Sequence, residues 1–286
     1  MKLGKIIILV LIVVAFAVGV YYSQEVKNQI SNLQKVDIGS VLTQASKEIL
    51  APAPLNIGGK EQQVTLLKSQ IIAQTNFQRM LNESSPLLEL KESAILDEAA
   101  SAKAQDMFNK QYFEHVSPSG VGPGDLVQAA GYEYIVAGEN LILGNFSSEK
   151  EVVDAWMASP GHRANILNTR FTEIGVAIIK GTYKGQSVWI GVQEFGLPLS
   201  TCAQPDVSLK NQINTNQTKL DVMTQQIDNL KNQIESSNKK SDVYRQMIDD
   251  YNQLVEQYNA LVETTKTDIA NYNNEINIFN NCVAGK

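Results

Sequence analysis

Hydrophobic and polar positions divide the chain into three regions. Ile6 to Tyr22 form an apolar run without charges, and Lys2 and Lys5 precede it. Residues 60–199 mix helix-like and strand-like apolar spacing between glycine and proline breaks. Glycine and proline then vanish between Val207 and Val283, where apolar residues recur every seven positions. This pattern predicts an N-terminal membrane segment, a globular domain and long C-terminal helices.

The N-terminal run is about 17 residues long, near the lower limit for a helix that spans a bilayer. Lysines before an apolar run are typical of an export signal, and Ala15-Phe16-Ala17 offers a cleavage site. The run continues past Ala17 and ends in Tyr21 and Tyr22, which suit the membrane interface. Residues 1–22 are therefore predicted to be a signal anchor, with a cleaved signal peptide as the alternative. The bulk of the chain is expected outside the cell membrane after a single pass, or secreted.

Residues 23–59 are predicted to be a stalk and a linker. Ser23 to Leu50 is polar with scattered aliphatic residues, which favours a short helical stalk. Ala51-Pro52-Ala53-Pro54 and then Gly58-Gly59 break any helix. A new unit is expected to begin at about residue 60.

The next region begins with two predicted helices. Apolar spacing predicts them over Gln62–Leu81 and Leu96–Tyr112. A third helix is predicted from Ser148, because Glu151 follows three residues later as in a capping box. Ser159 can cap a further short helix.

The same region ends in a predicted β-hairpin. Glu173–Lys180 and Ser187–Phe195 are rich in β-branched and aromatic residues, and the segment between them contains glycine. Helices followed by an antiparallel hairpin indicate an α+β layered domain over residues 60–199.

Residues 203–283 are predicted to form a helical coiled-coil hairpin. Ile213, Leu220, Ile227 and Ile234 are spaced by seven, and Asn216 interrupts the seam once. A second apolar run follows the polar residues 235–242, which are suited to a turn. One long helix that dimerises in parallel remains an alternative. Either arrangement would offer a surface for a protein partner.

Charge and cysteine content indicate which partners and which cellular compartment to expect. The formal net charge of −6 arises from mixed charges, so nucleic acid is not an expected partner. Cys202 and Cys282 are the two cysteines of the chain, and both lie in the portion expected to be exported. A disulfide between them is predicted, because such bonds persist outside the cytoplasm.

Four short strings stand out in the central region. They are Tyr112-Phe113-Glu114-His115-Val116-Ser117-Pro118, Ala137-Gly138-Glu139-Asn140-Leu141, Ser159-Pro160-Gly161-His162-Arg163-Ala164-Asn165, and Val188-Trp189-Ile190-Gly191-Val192-Gln193-Glu194-Phe195-Gly196. In their order and spacing, over about 140 residues, they resemble the prokaryotic, SCP-like branch of the CAP superfamily of cysteine-rich secretory, antigen 5 and pathogenesis-related 1 proteins. The resemblance implies an α-β-α domain with an antiparallel sheet.

The resemblance also implies a cleft lined by two histidines and two acidic residues. His115, Glu139 and His162 match three of these positions, and ligand binding is expected there. Many relatives have a glutamate at the place of Ser159, so the fourth position departs from the pattern. Glu114 or Glu194 could supply a substitute carboxylate.

Two neutral imidazoles that face a carboxylate can hold zinc, so His115 and His162 are candidate metal ligands. No nucleophilic serine or cysteine has an assigned partner, and capping or turn roles account for Ser117 and Ser159. Glu139 would either contact a ligand or brace backbone amides of its loop. Whether the chain is an enzyme is left open at this stage.

Two functions follow as hypotheses. The first is a membrane-anchored, extracytoplasmic binding module for a cell-surface partner or a small ligand. The family's wider repertoire includes lipids, so the small ligand would be apolar. The second is a metal-dependent hydrolase that acts on peptide or cell-wall material.

Overall fold

The computed structural model describes residues 47–82, 85–239 and 241–285. These residues belong to two compact units, the first ending at Cys202 and the second beginning at Ala203. The predicted membrane segment 1–22 and most of the predicted stalk lie outside the described residues. Within the described ranges, no helix has the length and apolar character needed to cross a membrane.

The first unit is a six-stranded sheet packed against helices. Its helices are α1 (Lys68–Met80), α2 (Ala94–Lys110), α3 (Pro123–Ala129), α4 (Glu149–Ala158) and α5 (Pro160–Ile166). Its strands are β1 (Glu48–Leu50), β2 (Leu55–Gly58), β3 (Lys91–Glu92), β4 (Tyr134–Gly144), β5 (Glu173–Tyr183) and β6 (Gln186–Pro198).

The sheet is mixed, and the prediction of an antiparallel sheet is corrected here. Its order is β1-β4-β6-β5-β3, with β2 also paired to β4. The β4–β6 and β5–β6 pairs are antiparallel, whereas β1, β2 and β3 pair in parallel. These three strands are two to four residues long and pair with distant residues, so local sequence patterns carry little sign of them.

The central strand β4 was not predicted as a strand. All eleven of its residues are buried, so polar and apolar positions do not alternate along it. The β5–β6 hairpin matches the prediction and is longer than expected. Its turn at Lys184 and Gly185 has positive φ at both residues, as a two-residue hairpin turn requires.

Two helix predictions can be compared directly with the structure. Helix α1 begins at Lys68, six residues after the predicted Gln62, because Leu67 is extended and donates its N–H to Glu149. Helix α4 begins as predicted, since the Ser148 hydroxyl accepts a hydrogen bond from the Glu151 N–H.

The buried side chains of the first unit fill both faces of the sheet. Ala100, Ala104 and Met107 of α2 pack on Leu141 and Ile190. Four large aromatic residues are also buried in this unit. They are Trp156, Phe171, Trp189 and Phe195.

The second unit is a pair of long helices. They are helix α6 (Val207–Ser236) and helix α7 (Asp242–Val283). They run antiparallel, because the Asp206 N–H near the start of α6 donates to Glu275 in the last third of α7. Their shared core includes Ile213, Leu220 and Ile227 from α6. The predicted hairpin is present, while supercoiling of the two helices stays a prediction.

Both cysteines are disulfide-bonded, and the chain has two. The predicted bond between Cys202 and Cys282 is therefore confirmed.

Candidate functional site

His115 lies in the bend that follows α2, and both of its ring nitrogens have partners. Nδ1 lies 2.5 Å from Glu139 Oε1. Nε2 contacts the backbone carbonyl oxygen of Pro52. A carbonyl only accepts hydrogen bonds, so Nε2 carries a proton and donates it. The imidazole thus connects β4 to the segment between β1 and β2.

Glu139 and Glu194 form a cross-strand pair of buried carboxyl groups. They are direct partners in the antiparallel β4–β6 register, so their side chains lie on the same face of the sheet. Both are fully buried. Burial raises the pKa of Glu194 well above its ordinary value, and the negative charge of Glu139 raises it further. Glu194 therefore keeps its proton at a pH where an exposed glutamate has lost it.

Lys103 of α2 brings a positive charge to the same face. Its side chain is buried, and Nζ donates a hydrogen bond to the carbonyl oxygen of His115 at 2.5 Å. Burial lowers the pKa of Lys103, and the charge of Glu139 offsets this in part. A buried ammonium beside two carboxyl groups compensates charge that the low-dielectric interior would otherwise disfavour.

His162 lies in the first turn of α5 and is 1 % exposed. Its Nδ1 lies 2.8 Å from the Ser159 hydroxyl, whereas its Nε2 has no hydrogen-bond partner within the described residues. Burial lowers the pKa of His162 to about 4, and the nearby charge of His115 contributes to the shift. The ring is therefore neutral at physiological pH.

Ser159 departs from its predicted capping role. It stands at the N-cap position of α5, but its hydroxyl makes no capping hydrogen bond to the helix backbone. The hydroxyl contacts His162 instead. Ser117 has the predicted turn role, because its hydroxyl accepts from the Val121 N–H.

A network of buried amides fixes α5 against β4. Asn140 donates to the carbonyl oxygen of His162 and to Gln193 Oε1. Asn165 donates to Asn140 Oδ1 and to the carbonyl oxygen of Leu50. Gln193 in turn donates to the hydroxyl of Thr75 on α1. The network holds His162 in place through its backbone carbonyl, because the donor to that carbonyl, Asn140, lies on the neighbouring strand β4.

Pro52 is a member of the site that the sequence analysis placed in a linker. Its carbonyl contacts His115. Its ring packs against Gly161, where an added Cβ would lie 2.5 Å from Pro52 Cβ. Pro52 thus contacts both His115 and the residue that precedes His162. The prediction that residues 23–59 form a stalk and linker outside the domain is corrected for residues 48–58, because β1 and β2 belong to its sheet.

The structure brings His115 and Glu139 into direct contact, with His162 nearby. Glu139 contacts His115 and makes no hydrogen bond to backbone amides through the atoms described. Of the two substitute carboxylates, Glu194 lies beside Glu139 and Glu114 is exposed.

Lys103 was missed by the sequence analysis. A signal for it existed, because Lys103 falls on the buried stripe of α2 that contains Leu96, Ala99, Ala100 and Ala104.

The histidines do not offer a zinc site in this arrangement. Both ring nitrogens of His115 have partners, which leaves one ring nitrogen of His162 without one. Across the part of the chain that the structure describes, no group of three or more His, Cys, Asp or Glu side chains could hold a metal ion. The donor set thus does not fit zinc while Pro52 is in place.

The site thus pairs a histidine in the bend after α2 with a buried glutamate of β4. The model of the family described as "Cysteine-rich secretory protein family" matches residues 74–195. Residues 74–195 of this chain are therefore similar to a CAP domain.

Two curated relatives come from Bacillus subtilis (strain 168). The uncharacterized protein YkwD is 41% identical over 126 residues, which cover 44% of this chain and 46% of the relative. The uncharacterized membrane protein YlbC is 24% identical over 168 residues, which cover 57% of this chain and 47% of the relative. The chain thus spans about half the length of the curated relatives it matches.

Similar solved structures include two bacterial proteins. An extracellular protein with an SCP domain from Bacillus anthracis str. Ames shares 30% identity, covering 45% of this chain and 39% of that chain, with a TM-score of 0.38. An outer surface protein of Borrelia burgdorferi shares 22% identity, covering 50% of this chain and 99% of that chain, with a TM-score of 0.39.

Proposed function

We propose that this chain is a cell-surface binding module. In this proposal, residues 1–22 hold the CAP domain outside the membrane, and the helical hairpin within 203–283 contacts a protein partner. The disulfide supports an extracytoplasmic setting, because such bonds persist under oxidising conditions. The name of the relative YlbC, a membrane protein, supports membrane attachment.

One observation carries the binding function. Four of the twelve buried side-chain atoms that lack a hydrogen-bond partner among the described residues lie at the candidate site, namely Glu139 Oε2, both carboxyl oxygens of Glu194 and His162 Nε2. Folded proteins rarely leave such atoms unpaired. A ligand or ordered water that supplies hydrogen bonds would satisfy them. These atoms favour a hydrogen-bonding ligand over the small apolar ligand suggested by the family resemblance.

Hydrolysis is the second candidate function, and the contact between Ser159 and His162 favours it. A serine hydroxyl 2.8 Å from a neutral imidazole is the geometry of a nucleophile and its base. A base of this kind is normally oriented by a third group, and His162 Nε2 has no such partner within the described residues. Binding is therefore the better supported function.

The test compares the full chain with His115→Gln and His162→Gln variants in detergent. Binding to isolated cell envelopes is measured together with turnover of a peptide and peptidoglycan panel. Envelope binding that both substitutions weaken, without turnover, supports the module. Turnover lost in Ser159→Ala would instead establish the hydrolase. Equal envelope binding by all variants would refute a role for this site.

A further inference from the structure

The segment from Glu48 to Gly58, called the strap below, crosses the candidate site. Its first part pairs in parallel with β4 up to Leu50 opposite Gly138, and its second part resumes with Leu55 opposite Ile142. Between these two pairings the strap moves on by five residues, from Leu50 to Leu55, whereas β4 moves on by four, from Gly138 to Ile142. Residues 51–54 leave the ladder where β4 carries Glu139. The strap thus arches over the site instead of continuing the sheet.

The domain holds the strap through its backbone. His115 Nε2 contacts the carbonyl oxygen of Pro52, and Asn165 donates to the carbonyl oxygen of Leu50 at 3.0 Å. The Asn145 N–H donates to the carbonyl oxygen of Gly58 at 2.7 Å. Main-chain carbonyls are common to every peptide. Any extended chain with the same path could accept these hydrogen bonds, as in strand addition to a sheet edge.

The strap contributes little to the hydrophobic core. Every residue from Lys47 to Gln63 is partly or fully exposed, and the first buried side chain after it is Leu66. Segments with few buried apolar contacts open at low free-energy cost. The strap can therefore leave β4 while the core of the domain stays folded.

The conformation and surroundings of the strap suit proline residues. Pro52 and Pro54 have no N–H, so no donor is lost where the strap leaves the ladder. Proline-rich segments also adopt the extended polyproline II conformation in advance, which reduces the entropy lost on binding. Gly161 provides the space, because a side chain there would collide with Pro52.

We propose that the strap occupies a peptide groove along β4, and that an extended, proline-containing peptide from another molecule binds there in its place. This inference rests on the proposed binding function and names its ligand class. His115 would donate to the peptide carbonyl that replaces that of Pro52. Because the strap is covalently attached, its effective concentration is on the order of millimolar, and it excludes a free peptide of ordinary affinity.

The experiment uses the full chain with a protease recognition sequence inserted after the exposed Gln63. The probe is a fluorescent peptide with the sequence of residues 47–59, and a scrambled peptide of equal composition is the control. Fluorescence anisotropy is measured before and after cleavage and removal of the released strap. We expect the cut chain to bind the probe at least about tenfold more tightly than the uncut chain, and more tightly than it binds the scrambled peptide.

Two substitutions in the cut chain test the proposed contacts. His115→Gln and Gly161→Ala should each weaken probe binding about tenfold, by changing the donor to the peptide carbonyl and by filling the space for proline. Gly122→Ala is the matched control, because a Cβ there meets only an ordinary contact at 3.6 Å. Tryptophan fluorescence checks that each variant is folded.

A folded cut chain that does not bind the probe would overturn the inference. So would equal affinity for the scrambled peptide, or unchanged affinity in both variants. The proposed function is judged separately by envelope binding. If the cut chain fails to bind the probe but still binds envelopes through His115, the peptide inference falls and the binding module stands.

Discussion

Glu194 is expected to make the stability of the first unit depend on pH. Its carboxyl group is fully buried opposite Glu139, and burial raises its pKa well above the ordinary value of 4.5. The folded state then holds a proton that the unfolded state releases above pH 4.5. Stability from this group is fully present below pH 4.5 and is lost as pH rises through the folded pKa. Glu194→Gln removes this loss, because an amide does not ionise.

The size of the effect follows from proton linkage. Each pH unit between 4.5 and the folded pKa corresponds to about 1.4 kcal/mol in the free energy of unfolding. At pH 8 the gain of the variant over the wild type is therefore at most about 5 kcal/mol. Near pH 4 the two proteins should differ little through this term, because both side chains are then uncharged. Glu139, Lys103 and His115 face Glu194 or its partner in both proteins, so the difference reports the charge at position 194 together with its interaction with Glu139.

The assay is urea unfolding followed by tryptophan fluorescence between pH 4 and pH 8. The two tryptophans, Trp156 and Trp189, are both buried in the first unit, so the signal reports that unit alone. Glu114→Gln is the matched control, because it removes a carboxyl group at an exposed position outside the buried pair. A difference between Glu194→Gln and wild type that stays constant from pH 5 to pH 8 would refute the assigned protonation of Glu194.

Three further predictions concern other parts of the chain. In NMR titrations, the ring of His162 should remain neutral until pH falls to about 4, and His115→Gln assigns the two histidine signals. Because the pKa of His162 is lowered in the folded state, the stability from this group is present above pH 6.5 and is lost as pH falls through 4. Protonation of His162 near pH 6.5 would contradict its burial. Replacing Cys202 and Cys282 with serine should lower the free energy of unfolding by roughly 4 kcal/mol, measured by circular dichroism at 222 nm in urea; unchanged stability would contradict the loop-closure account. Protease applied to intact cells should remove the domain that begins with β1 at Glu48 and leave a membrane-held N-terminal fragment, whereas release of a chain beginning near Val18 would show a cleaved signal peptide.

The parts of the fold that the sequence predicted are those with local patterns. The β5–β6 hairpin has alternating residues and a glycine turn, and the helices α6 and α7 have a seven-residue repeat without glycine or proline. Strand β4 gave no such signal, because both of its faces are buried. The short strands β1 to β3 gave none either, since their partners lie far away in the chain.

The sequence predicted those residues of the candidate site that lie within family motifs. His115, Glu139 and His162 stand in recognisable strings, and the structure joins the first two directly. Lys103 and Glu194 required knowledge of the sheet register and of the buried face of α2. A charged residue on an apolar stripe is nevertheless a readable sign, and Lys103 on α2 and Glu194 within β6 are both such residues.

Pro52 shows why composition alone misplaced the segment before the domain. Alanine, proline and glycine are common in linkers because they resist regular structure. The same properties suit a chain that arches over a site, since proline needs no partner for an N–H and favours an extended path. The two roles differ in the surface against which the segment packs. Here His115 donates a hydrogen bond to the Pro52 carbonyl, Asn165 donates one to the Leu50 carbonyl, and Gly161 leaves space for the Pro52 ring. Those residues lie more than sixty positions away, so only the folded structure could assign the segment to the site.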